Sequence, residues 1–232
     1  VEARGRVMSL LNDKQIIEAW HRNARPWITA VQQDRIESRR LVTNRAILET
    51  VDSLDVQSVL DIGCGEGWLV RQLSSAGLRV AGLDVVPDLL EQARRLGPER
   101  YYLMAYEALS ARNPADYFDL ALCNFSLFGK GSVEHLFGVL SGLLNPGGYF
   151  VMQTLHPAAA EGESVDGWRE GSWAGIEGDF AEPAPWYFRN TASWLQLFER
   201  AGLDLIECRE PVNPVTDQVA SLILVGRLRK AP

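Results

Sequence analysis

Hydrophobic positions change their spacing along this chain. Up to about residue 54 they recur at helical intervals. Ile16, Ile17, Trp20 and Ala24 share one side of a helix that Asn12 or Asp13 can cap, and Pro26 is expected to end it. A second helix is expected over about Asp34–Val51. From Val56 onward, short apolar runs alternate with amphipathic stretches. Val56–Ile62 reads as a strand; Trp68, Leu69, Val70, Leu73 and Ala76 as a helix stopped by Gly77; Leu78–Asp84 as a second strand. Pro87 opens the next helix, where its missing N–H costs nothing, and Gly97 closes it. Tyr101–Met104 and Tyr117–Cys123 are the third and fourth strands, and a helix starts at Ser132. Asn145-Pro146-Gly147-Gly148 then turns the chain into a fifth strand, Tyr149–Thr154. Strand and helix in alternation predict a doubly wound α/β fold, a mostly parallel sheet with helices on both faces.

The rhythm breaks over residues 155–190, which are rich in glycine and proline and carry Trp168, Trp173, Phe180, Trp186, Tyr187 and Phe188. A long aperiodic segment with this many aromatic side chains is expected to be a lid or binding loop. Its rings suit a satellite core as well as a pocket wall. Thr191 is expected to cap a helix with Trp194, Leu195 and Phe198, and two further strands are expected at Leu203–Cys208 and Val219–Leu228. The expected organisation is an N-terminal helical cap (residues 1–54) and a core (55–232) with the lid inserted at about 155–190.

Composition narrows the function. The 232 residues are 47% hydrophobic and 23% charged, an ordinary globular balance. No apolar run approaches the roughly 20 residues of a membrane span. No charged leader with an apolar run and cleavage site opens the chain, so the expected location is cytoplasmic. Cys64, Cys123 and Cys208, like the three histidines, are too scattered for a disulfide framework or a metal site. The net charge of −7 argues against a dedicated nucleic-acid binder. Residues 1–50 nevertheless carry an excess of arginines: Arg22, Arg25, Arg35, Arg39, Arg40 and Arg45. They form either a solvated helix face or a basic rim over a site for an anion.

The chemistry concentrates at Val59-Leu60-Asp61-Ile62-Gly63-Cys64-Gly65-Glu66-Gly67, where a strand ends, a glycine loop turns and a helix begins. Such a loop lets a ligand approach the backbone beside the helix N-terminus. The acid Asp84 ends the next strand, 21 residues past Gly63, the distance of a carboxylate gripping ribose hydroxyls. A dinucleotide fingerprint would need a third glycine where Trp68 stands. That makes a dinucleotide-dependent oxidoreductase the weaker alternative.

The GxGxG preceded by Asp61 instead resembles the glycine loop of class I S-adenosylmethionine-dependent methyltransferases. The further marks follow in order: Asp84, the strand Phe118-Asp119-Leu120-Ala121-Leu122-Cys123-Asn124, and Leu144-Asn145-Pro146-Gly147-Gly148 before the fifth strand. The resemblance covers about residues 55–228 and points to the small-molecule group related to ubiquinone and biotin-pathway methyltransferases. It implies a seven-stranded sheet whose last two strands form an antiparallel hairpin. It also implies S-adenosylmethionine as donor, S-adenosylhomocysteine as product and a small-molecule acceptor.

Residue by residue, the resemblance implies that Gly63, Cys64, Gly65 and Gly67 line the methionine moiety. Asp61 orients the loop or holds the amino group, Asp84 binds the ribose hydroxyls, and Val85 lies beside the adenine. Ala105 stands where the family has an adenine-binding Asp, so Tyr106, Glu107 or backbone groups take that contact. Asn124 and Phe125 fall near the sulfonium, and Asn124 also suits a local turn. The Asn/Asp-Pro-Pro-aromatic motif of amino-nitrogen methylation is absent. A transfer RNA or other nucleic-acid methyltransferase, binding phosphates through the N-terminal arginines, is the main alternative. His156 and Tyr187 are the candidate catalytic bases, His156 fitting a structural role equally well.

Overall fold

The computed structural model describes residues 11–111, 113–114, 116–159 and 164–229. The first ten residues of the expected cap and residues 160–163 of the expected lid lie outside the described residues. Helix α1 spans Asp13–Gln32 and is capped by Asn12, whose side chain accepts from Gln15 N at 3.3 Å while the Gln15 side chain accepts from Asn12 N at 2.9 Å. Contrary to expectation, Pro26 lies inside this helix. Ala24 before it and Trp27 and Ile28 after it pack in one cluster with Val86 and Leu89. That shared burial offsets the roughly 3 kcal/mol an interior proline costs.

The second expected helix does not start at Asp34, whose backbone is left-handed at φ 51°, and Ile36 instead bridges to Ile176. A π-helical turn, Arg39–Thr43, runs directly into α2, Asn44–Asp52.

The sheet follows as β1 (Ser58–Ile62), β2 (Arg79–Asp84), β3 (Arg100–Leu103), β4 (Phe118–Asn124) and β5 (Leu144–Thr154). Between them lie α3 (Trp68–Ser75), α4 (Pro87–Leu96) and α5 (Gly131–Val139). A short antiparallel pair, β6 (Gly167–Arg169) and β7 (Trp186–Phe188), sits in the expected lid. Helix α6 (Thr191–Arg200) and strands β8 (Leu203–Arg209) and β9 (Leu222–Leu228) close the fold. Helix α6 is capped by Asn190, one residue before the expected Thr191, because the Asn190 side chain accepts from Ser193 N at 2.9 Å. Val219 falls outside β9, in an isolated bridge with Val212.

The seven strands are ordered β3-β2-β1-β4-β5-β9-β8. The first five run parallel, β9 is antiparallel to β5, and β8 is antiparallel to β9. Every residue of β1 is buried. Val59 packs with Val70, Leu73 and Leu90 on one face, Leu60 with Phe118, Phe137 and Phe150 on the other. At the other end of β1, the Asp119 carboxylate accepts from Gln57 N, Ser58 N and Asn145 Nδ2 at 2.7–3.0 Å, tying together β1, β4 and β5. Strand order reverses at β1, between β2 and β4, and a ligand crevice is expected at the carboxyl ends of these strands. Among the described residues no helix is long and apolar enough to cross a membrane.

Candidate active site

The loop after β1 is shaped by its glycines. Gly63 N and Cys64 N donate to Leu83 O at 2.8 and 2.9 Å, fastening the loop to β2. A Cβ at Gly63, where φ is +77°, would collide with Ser126 Cβ and sit 2.7 Å from Tyr106 Oη. At Gly65 it would meet only Trp27 Nε1, at 3.9 Å, because this residue faces the crevice. Glu66 then caps α3: its Oε1 accepts from Trp68 N at 3.0 Å, and its Oε2 pairs with Arg71 Nη2 at 2.6 Å.

Three acidic or amide side chains from the ends of β1, β2 and β4 surround this loop. Asp84 Oδ2 accepts from Gly65 N and Oδ1 from Val86 N, each at 2.9 Å. Burial pushes the Asp84 carboxyl above its ordinary range, and the amides of Val86 and Gly65 hold it back. Asp61 is pushed up to about 8, first by burial and then by the charges of Asp84 and Glu66. Asp61 Oδ1 and Asn124 Oδ1 are buried with no donor among the described residues. Beside them Phe125 adopts a left-handed backbone, φ 51°, held by its N–H donating to Gln153 O at 2.8 Å. A non-glycine residue in that region is strained, a feature that clusters at functional sites.

These groups floor a cleft of about 360 Å³. Helix α1 contributes Trp20 and Trp27 to its cover, the segment before β7 contributes Trp173 and Ile176, and β7 begins with Trp186 in it. Asn23, fully buried, joins the two halves of the cover: its Nδ2 donates to Ala19 O and Glu182 O at 2.9 and 3.1 Å, and its Oδ1 accepts from Ala181 N at 2.8 Å. Arg39 also enters the cleft, its guanidinium carbon 5.9 Å from the Trp27 ring centroid and 5.2 Å from that of Trp68. Burial lowers the Arg39 pKa, against the pull of Glu66, Asp34 and Asp61.

Ten of the sequence-predicted site residues meet in this cleft: Asp61, Gly63, Cys64, Gly65 and Asp84 from the β1 and β2 ends, with Val85, Tyr106, Glu107, Asn124 and Phe125. Gly67 is not among its lining residues. It turns the backbone into α3 at φ +79°, and a Cβ there would strike Tyr101 Oη. Neither candidate base lines the cleft. His156 lies past the end of β5, where its Nε2 meets Glu210 Oε1 at 2.9 Å and its Nδ1 accepts from Ala158 N at 3.1 Å; Leu155 faces the cleft instead. Along β7 alternate side chains point to opposite faces. Trp186 therefore meets the cleft, while the Tyr187 ring packs 5.5 Å from Trp168 and under Arg189.

The sequence reading missed Glu66, Trp20, Trp27, Trp68 and Phe128, and did not separate Arg39 from its neighbours. Ile16, Trp20 and Trp27, spaced four and seven apart, repeat on one helix face, and that periodicity was the available signal. Arg22, Arg25, Arg35, Arg40 and Arg45 are exposed and do not line the cleft, as a solvated helix face would be.

The profile of the methyltransferase domain family matches residues 30–208. The chain belongs to the methyltransferase domain family. It is similar to the ubiquinone biosynthesis O-methyltransferase of Xylella fastidiosa, 34% identical over 113 residues, which are 47% of this chain and 46% of that one. It is also similar to the malonyl-[acyl-carrier protein] O-methyltransferase of Salmonella typhimurium, 30% identical over 149 residues, 64% of this chain and 56% of that one. The chain thus spans about half the length of these curated relatives. In fold it matches a crystal structure of an S-adenosylmethionine-dependent methyltransferase from Mesorhizobium loti, with a TM-score of 0.58 and 24% identity over 74% of this chain and 90% of that one.

The cleft suits the donor that such enzymes use. The unpartnered Asp61 and Asn124 oxygens call for a buried donor such as the methionine ammonium. The Arg39 guanidinium offers a partner for the methionine carboxylate. Each Asp84 oxygen accepts one amide and keeps a lone pair for a ribose hydroxyl.

Proposed function

We propose that this chain transfers a methyl group from S-adenosylmethionine to a small-molecule acceptor. The observation that carries the reading is Glu66 at the N-terminus of α3. In dinucleotide enzymes a pyrophosphate occupies the equivalent helix end. Here the buried Glu66 carboxylate, paired with Arg71, already takes the Trp68 N–H, so that amide is not free for a phosphate oxygen, a group that S-adenosylmethionine lacks.

In this reading Asp84 holds the ribose, Asp61 and Asn124 the ammonium, and Arg39 the carboxylate. Gly63, Cys64 and Gly65 let the methionine moiety approach the loop. Val85, Tyr106 and Glu107 border the adenine, and Phe125 lies next to the sulfonium. The sulfonium supplies a methyl group already activated for displacement. The protein positions the acceptor in line and excludes water, contributions that reach roughly 7–11 kcal/mol. The Tyr106 hydroxyl lines the cleft but donates to Ser126 O at 3.0 Å, so it is not a free base. An acceptor whose nucleophilic nitrogen or sulfur already carries a free lone pair needs none.

We read the chain as a helical cap over residues 1–54 and a cofactor-binding core with a lid at about 155–190, with Asn23 joining cap to lid. Cytoplasmic residence, with all three cysteines free, fits this reading. Incubating the chain with methyl-labelled S-adenosylmethionine and a cell extract tests it. In the small-molecule ultrafiltrate, label is expected in a compound that chromatography separates from S-adenosylmethionine and that does not form without the added chain. Label confined to the RNA fraction would favour a nucleic-acid substrate instead.

A further inference from the structure

We infer that the acceptor is a flat aromatic ring system, free of anionic groups, that stacks against the tryptophan wall of the cleft. This rests on the methyl-transfer reading and names its substrate class.

Beyond Asn124 and Phe125 the cleft is walled by rings from three parts of the chain: Trp20 of α1, Phe128 of the loop after β4, and Trp173 and Trp186 of the lid segment. The rings are locked in place. Trp20 meets Trp27 edge-on at 5.1 Å and Trp173 edge-on at 5.8 Å, and lies 6.1 Å from Phe128. Trp173 is stacked on Phe180 at 4.3 Å, and its Nε1 donates to Ala181 O at 2.8 Å. Rings at these separations touch one another. Trp20, Trp27, Phe128 and Trp173 therefore form a continuous aromatic wall.

The charges point the same way. On this side the cleft presents Asp13, whose oxygens accept from Lys130 N at 2.8 Å and Ser132 N at 2.7 Å at the start of α5. Arg39 is held against Trp27 and Trp68, within the influence of Glu66 and Asp61. A carboxylate or phosphate docked on the rings would lose its hydration beside an acid and gain no cation. A flexible alkyl chain would lose its rotamer freedom on binding, a cost that a rigid flat ring avoids.

The test uses the full chain in two stages. Calorimetry with S-adenosylhomocysteine alone comes first; absence of binding there counts against the methyl-transfer reading itself. The loaded protein is then titrated with naphthol, naphthoate and decanol. Naphthol is expected to bind at least about tenfold more tightly than either of the others. Trp173→Leu and Trp186→Leu are each expected to weaken naphthol about fivefold and to leave the affinity for S-adenosylhomocysteine within about twofold, which also reports that the variants fold. Binding of naphthoate or decanol as tight as that of naphthol, or naphthol affinity unchanged in both variants, would overturn the assignment.

Discussion

The carboxylate of Asp84 accepts the backbone N–H of Gly65 at 2.9 Å. The end of β2 is thereby fastened to the loop that follows β1. One side chain sets the loop's shape and still has lone pairs facing the cleft.

Replacing Asp84 should have two separable effects. Asp84→Ala leaves the amides of Gly65 and Val86 without their acceptor, a loss of about 1–3 kcal/mol in stability by denaturant titration. It also removes both proposed ribose contacts, so S-adenosylhomocysteine should bind about 100-fold more weakly. Asp84→Asn keeps one acceptor and should lose less of both. A folded Asp84→Ala protein with parental affinity by calorimetry would remove the ribose assignment.

Asp61 should make both stability and binding depend on pH. Its carboxyl is raised to about 8, so the folded chain keeps a proton that the unfolded chain releases. The contribution of Asp61 to the stability of the unliganded protein should therefore be fully present below about pH 4 and be lost progressively as pH rises toward about 8. Asp61→Asn should flatten that slope. An ammonium placed against Asp61 favours its ionised form, so binding S-adenosylhomocysteine near neutral pH should release a proton. Calorimetry in two buffers of different ionisation enthalpy measures this, and Asp61→Asn should abolish it. Release that is equal in parent and variant would place the ammonium elsewhere.

The cover should loosen when Asn23 is changed. Asn23→Ala strands the N–H of Ala181 and frees Glu182 O, cutting the link between α1 and the segment before β7. Hydrogen exchange should accelerate over residues 171–186, and naphthol affinity should fall more than that for S-adenosylhomocysteine. Unchanged exchange there would show that the tryptophan contacts alone hold the cover.

Much of this arrangement was legible in the residue pattern. Alternating apolar runs and helical stretches are set by local spacing, and so is a glycine loop between strand and helix. Asp84 could be placed because a strand end dictates where its last side chain goes. Features that depend on distant contacts were not legible. Pro26 sits mid-helix because Ala24, Trp27 and Ile28 share a buried face with Val86 and Leu89, partners about sixty residues away. Arg39 is chemically like its neighbouring arginines, and only the π-helical turn beginning at its position and the rings of Trp27 and Trp68 set it apart. Trp186 and Tyr187 differ by one step along β7, and only the pairing of that strand decides which ring meets the cleft. His156 looked like a base at a strand end, yet the chain turns away after β5 and gives it to Glu210.

We propose that this cleft holds S-adenosylmethionine and not a dinucleotide. Thermal unfolding with S-adenosylhomocysteine or NADH, each at about 100 times the dissociation constant measured for S-adenosylhomocysteine, tests it most directly. Ligand at that excess stabilises a binding protein by roughly 2.7 kcal/mol. In a chain of this length each kcal/mol moves the melting temperature by about 2–4 °C. S-adenosylhomocysteine should therefore raise it by several degrees and NADH should leave it unchanged. A rise with NADH and none with S-adenosylhomocysteine would show a dinucleotide site instead.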